Sequence, residues 1–214
     1  MDNKKNTILL TVIAVATLLV AVVGATFAYF TAQGGGTSQA DIIVKTGTAA
    51  SSAFGTYTAI SIYADQNNFA EDKGDQTGSS TGTVSWTAPG ATQTYTPTET
   101  ERTMCYTATL NVENNTFVVS SQNTAGDPEL VFTAQKGTTK VIENMNITTT
   151  KTDVQIPTAA GGSTYIHKLT AEAGKTVTED WTLTVTLKNL AVDQNDNTGK
   201  SFSGAVKFAK VDCQ

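Results

Sequence analysis

The chain of 214 residues is long enough for one ordinary domain plus a short targeting segment. Its formal net charge of -5 and sequence pI near 4.8 leave no cluster of Lys and Arg able to neutralise phosphates, which argues against a nucleic-acid partner. A hydrophobic fraction of 39% supports a packed core, while charged residues make up only 15% and threonine takes much of their place on the surface. Many β-branched, uncharged surface residues suit a β-rich extracellular protein.

In chain order, Lys4 and Lys5 precede an apolar run from Ile8 to Val23, closed by Gly24-Ala25-Thr26-Phe27-Ala28. A basic flank, an apolar stretch and small residues at a cut site form the secretory signal pattern. Thr26 and Ala28 put the predicted cut between Ala28 and Tyr29, so membrane contact is expected only through this segment before cleavage. A retained anchor is the alternative, since Thr7 to Phe30 is long enough to span a bilayer. A pilin-like subunit keeping its apolar helix is a further reading. That class needs a small residue at a cut ahead of the apolar run and a Glu soon after, and Asn6-Thr7 and Ile8 to Leu10 supply neither.

Beyond the cut, Gly34, Gly35 and Gly36 form a hinge that decouples the preceding residues from the domain. Ile42, Ile43 and Val44 then form a β-branched run suited to a strand. The predicted organisation is a signal peptide (1–28), a flexible N-terminal segment that is a candidate donor strand (29–47), and a β-sandwich domain (48–214).

The body alternates apolar and polar residues. Trp181-Thr-Leu-Thr-Val-Thr-Leu187 puts every large apolar side chain on one face and every Thr on the other. Tyr106 to Val112 repeats the pattern, as do Phe202 to Phe208 and the shorter stretches Ala59–Tyr63, Thr83–Thr87, Thr116–Ser120, Leu130–Ala134, Lys140–Ile142 and Tyr165–Leu169. Turn signals such as Gly126-Asp127-Pro128, Lys136-Gly137, Gly161-Gly162 and Asn197-Thr198-Gly199 separate them. Asp72 to Gly82 reads as loose, and Gln66 to Asp72 as a short helix candidate. Many short strands with one apolar face each predict an all-β fold: a single jelly-roll-like antiparallel β-sandwich preceded by a hydrophobic signal helix.

Little catalytic chemistry is on offer. His167 is the only histidine, and it falls in a strand candidate, where a core or strand-face role is the expectation. No HExxH, serine elbow, phosphate-cradling glycine loop or Cys-x-x-Cys is present, so no enzyme activity and no catalytic residue are assigned. Cys105 and Cys213 are the only cysteines; in an exported chain they suggest a disulfide, with two free thiols as the alternative. No metal ligand set is assigned. Asp193, Asn195 and Asn197 alternate like the start of a calcium loop, but Gly199 comes one place late and Gly204 stands where the bidentate Glu belongs. Asp65, Glu71, Asp72 and Asp75 form a second acidic stretch. Trp86, Tyr95 and Tyr57 are candidates for a sugar-stacking platform, set against a core role for Trp86.

The segment VVGATFAYFTAQ, Val22 to Gln33, resembles the signal-peptide junction of the TasA/camelysin family of Gram-positive bacteria. Trp181 to Lys210, an alternating strand, the loop with Gln194, Asn195 and Gly199, and a strand of alternating aromatics, is similar to the end of that family's sandwich. The resemblance implies export through a signal peptidase of the SipW type, secretion to the extracellular matrix or cell surface, and self-assembly into a homopolymeric fibre in which the 29–47 segment adds a strand to the next subunit. It also carries the label metallo-endopeptidase, for which this chain offers scarcely any zinc ligands. The expected function is a structural subunit of an extracellular fibre or biofilm matrix. A monomeric surface module binding glycans or host proteins is the alternative.

Overall fold

A computed structural model describes residues 49–213 except 56–57, 66–68, 70–72 and 93–94. The apolar run, the Ala28–Tyr29 cut, Gly34 to Gly36, Ile42 to Val44, Tyr57, and Gln66 to Asp72 taken as a helix all lie outside these residues in whole or in large part. Among the described residues no helix is long and apolar enough to cross a membrane.

The strands in chain order are β1 (Ser51–Phe54), β2 (Ile60–Tyr63), β3 (Gln76–Thr87), β4 (Thr103–Asn115), β5 (Leu130–Lys136), β6 (Thr139–Asn146), β7 (Val154–Gln155), β8 (His167–Thr170), β9 (Thr176–Leu187) and β10 (Ser201–Val211). A single 3-10 turn, Asn195–Asn197, precedes β10. They form two antiparallel sheets, one in the order β1-β3-β9-β5-β6, the other β2-β10-β4-β7 with β8 also on β4. The all-β sandwich that the alternation predicts is the fold.

Period-two patterning explains the layers. In β9 the side chains of Trp181, Leu183, Val185 and Leu187 are buried, while Thr182 is exposed and Thr184 and Thr186 are half-buried. Its whole length pairs with β3 without a register shift, from Gln76 opposite Leu187 to Thr87 opposite Thr176. On the outer face the hydroxyls pair across the two strands: Ser79 with Thr184 at 3.1 Å, Ser85 with Thr178 at 3.2 Å, Thr87 with Thr176 at 2.8 Å. From the other sheet Tyr106, Ala108 and Leu110 of β4 and Phe202 and Val206 of β10 complete the core.

Two expectations need correction. The stretch up to Gly82 is not loose: β3 starts at Gln76. Its glycines mark a close approach of the sheets, because a Cβ on Gly82 would sit 2.6 Å from the Phe208 ring and 2.9 Å from Val206. Thr116 to Ser120, conversely, is not a strand. The Asn115 amide turns the chain off the sheet: its oxygen accepts from the Phe117 N–H at 3.1 Å, and its nitrogen donates to the carbonyls of Ile147 at 2.9 Å and Thr150 at 2.8 Å.

Val211 stands opposite Cys105 in the β10–β4 register, so Cys213 falls just beyond the strand end. The two cysteines form a disulfide with their Cα atoms 5.2 Å apart, across a sequence separation of 108. Closing a loop of that length stabilises by about 4–5 kcal/mol in the chain-entropy picture.

Candidate functional site

Buried polar clusters and unpaired strand edges are the distinctive features of the sandwich. The first cluster gathers the loops at one end of the sandwich around Glu129, which is fully buried. Its carboxylate accepts from the Ser120 N–H at 2.6 Å and hydroxyl at 2.8 Å, from Asn123 Nδ2 at 3.0 Å, from Gln194 Nε2 at 2.9 Å and from Asn197 Nδ2 at 2.6 Å. Burial alone would raise its pKa; the donors, Gln194 first, outweigh burial and hold it below the usual carboxylate range. Sequence reading missed Glu129, since nothing local to Pro128-Glu129-Leu130 reveals donors from residues 120–123 and 194–197.

The same network redefines the loop that alternates like a calcium site. Asn197 is buried with its amide turned inward, its oxygen accepting from the Val118 N–H at 3.0 Å. Asp193 accepts from the Asn195 N–H at 2.9 Å and Asp196 from the Ser121 N–H at 2.6 Å. Asp75 of the second acidic stretch accepts from Lys188 at 2.6 Å and the Asn189 N–H at 2.9 Å. The carboxylates and amides tie loops together, and among the described residues no three His, Cys, Asp or Glu converge on a metal-sized space.

A second cluster lies between the sheets, where β4, β8 and β9 meet. Tyr106 donates to Glu179 and accepts from Trp181 Nε1 at 3.0 Å, while Lys136 meets the other Glu179 oxygen at 3.1 Å. Burial, reinforced by Glu179, pushes the Tyr106 hydroxyl well above its ordinary value. His167 stacks on Tyr106 with ring centroids 5.1 Å apart and meets Trp181 edge-on at 5.0 Å. It is 1% exposed, and burial lowers its pKa. The arrangement is a packed polar core of stacked and hydrogen-bonded rings.

Trp86 is buried, with Nε1 donating to the Arg102 carbonyl at 2.7 Å, so it supplies no stacking face to a sugar. The open edges are more informative. On β10, strand β2 covers only Ser201 to Gly204, and among the described residues no strand pairs with Ala205 to Ala209 on that side. The Val206 N–H there points off the sheet and reaches the Ser80 hydroxyl at 3.1 Å; alternation turns the Phe208 N–H the same way. The outer edge of β6, by contrast, is blunted by register shifts against β5, by Asn144 at φ 49° and by the exposed Lys140–Glu143 pair. Between β6 and the 157–165 loop runs a groove of about 360 Å³ lined by Ile142, Met145, Gln155, Pro157 and Tyr165, with Met145 and Tyr165 exposed.

No protein-family model matches this chain, and no curated protein does.

Proposed function

We propose that this chain is a structural subunit of an extracellular fibre, biofilm matrix or cell-surface layer. It polymerises with copies of itself when one subunit adds a strand to the sheet of the next. The observation that carries this reading is the stretch of β10 from Ala205 to Ala209, which has no strand partner opposite β4 among the described residues. Backbone N–H and C=O groups along such an edge attract another strand, and main-chain hydrogen bonds then supply the affinity. The sequence offers a run of matching length, Ala40 to Val44, whose β-branched Ile42, Ile43 and Val44 suit a strand, with Gly34 to Gly36 as a candidate hinge before it. Export through a cut after Ala28, by a signal peptidase of the SipW type, would release this segment. The likeness of Val22 to Gln33 and of Trp181 to Lys210 to the TasA/camelysin family supports the same reading. On it the chain is not an enzyme.

Electron microscopy of the mature secreted protein tests it. Filaments are expected for the full mature chain, and their loss is expected for a chain starting at Thr48 and for Ile43→Pro, which removes a ladder donor. Polymerisation by the Thr48 chain would rule out the donor strand. A strictly monomeric mature protein would favour a surface binding module.

A further inference from the structure

The outer edge of β4 is covered by two short pieces of one excursion. β7 pairs with Thr109 and Leu110, extended by the Ile156 N–H donating to the Ala108 carbonyl at 2.9 Å; β8 pairs with Thr103 to Tyr106. Between them the chain leaves the sheet in a loop closed by Thr158 N–H to the Thr164 carbonyl at 2.8 Å, turning at Gly161 with φ +69°. Beside that loop bond, His167 joins the two pieces, its Nε2 lying 3.1 Å from the Ile156 carbonyl. A carbonyl only accepts, so Nε2 carries the ring proton and Nδ1 is left as a bare acceptor. That Nδ1 is buried and has no hydrogen-bond partner.

We propose that His167 is a proton-operated latch: acidification adds a proton at Nδ1, drives the ring out of its pocket, and releases β8 and the 157–166 loop from the edge of β4.

The surroundings explain why the charged ring does not stay. β4 offers the Tyr106 ring, and behind it lies Phe208 of β10, edge-on to Tyr106 and tilted against Trp181. β9 offers Trp181 and Glu179, and β5 offers Lys136, whose ammonium opposes a second positive charge. Among the described residues Glu179 is the counter-charge, and it is already engaged by Lys136 and by the Tyr106 hydroxyl. Lys168, next in β8, is on the exposed side of the strand. Burial is the largest influence on His167, with Lys136 adding to it, and the result lies below the ordinary value of 6.5. The closed state therefore prefers the neutral ring, and an open state, in which the ring is solvated, takes up the proton first. Opening becomes easier as pH falls below 6.5 and levels off at the depressed native value. The inference concerns local opening and holds whether or not the chain polymerises.

Hydrogen exchange on the full chain, corrected for intrinsic rates, reads the latch between about pH 7.5 and 5.5, above the range in which carboxylates protonate. The expected result is a loss of protection, up to about tenfold from about pH 7.5 to 5.5, at Ile156 and across His167 to Leu169. Leu183 and Val185 in β9 should keep theirs. In His167→Gln, whose amide keeps a donor but does not titrate, the ratio between the two pH values should stay at one; His167→Phe, which keeps the stack, gives the same test if the Gln variant folds poorly. Because the chain has a single histidine, an NMR titration follows its ring directly, with a midpoint below 6.5 expected. Unchanged protection in the parent chain, equal loss in β9, or the parent's pH ratio retained in His167→Gln and His167→Phe would each overturn the proposal.

Discussion

Glu129 and His167 are both buried ionisable groups at the boundary between sheet and loop, and they are held in opposite ways. Glu129 is charged and met by donors on both carboxylate oxygens, so the loops that supply those donors are fixed by it. His167 is neutral, bonded at one nitrogen and unpartnered at the other. A buried charge that is fully hydrogen-bonded specifies its surroundings, whereas a buried neutral base with an empty acceptor waits for a proton. Mild and stronger acid therefore act on different parts of the sandwich.

The largest effect should come from breaking the satisfied side. Glu129→Ala leaves the Ser120, Asn123, Gln194 and Asn197 donors without their acceptor, and chemical denaturation should show a loss of about 3–5 kcal/mol. Tyr106→Phe acts on the other cluster. It strands the buried Trp181 Nε1–H and removes a donor from Glu179, for an expected loss of about 1–3 kcal/mol by the same measurement.

Acid sharpens the contrast. The neutral His167 contributes stability that is present above pH 6.5 and is lost as pH falls toward its depressed native value, by up to about 1.4 kcal/mol per pH unit. The Glu129 contribution, with a depressed carboxylate pKa, survives that window and goes only when pH drops through its own native value. Denaturant midpoints measured from about pH 7.5 to 3 should thus fall in two separate stages, and His167→Gln should erase the first alone. The smallest effect is expected on the outer hydroxyl ladder. Thr184→Val removes one half-buried side-chain pair with Ser79 and keeps β-branching, so stability should move by less than about 0.5 kcal/mol.

Alternation alone made β4, β9 and β10 legible, because a half-buried strand must repeat every second residue whatever it packs against. Glycine misled in β3. Gly78 and Gly82 look like loop residues in a sequence, yet they lie on the inner face where Ile60, Val206 and Phe208 approach too closely for a Cβ. Thr116 to Ser120 misled in the other direction, since β-branched and aromatic residues alternate there while the Asn115 side chain takes the chain off the sheet. Cysteine count pointed to a pair, but the β10–β4 register is what puts Cys213 beside Cys105.

By itself the sequence determined the class of fold, the strands whose burial is periodic, and the scarcity of catalytic side chains, all of which depend on residue type and near-neighbour spacing. Only the tertiary structure decided that Glu129 is a loop anchor, that Gln194 and Asn197 turn inward, that Ala205 to Ala209 of β10 lacks a second strand partner among the described residues, and that His167 bridges the two pieces on β4. Each of those rests on groups far apart in the chain being brought within hydrogen-bond reach, and sheet order and register set those distances, which no local pattern encodes.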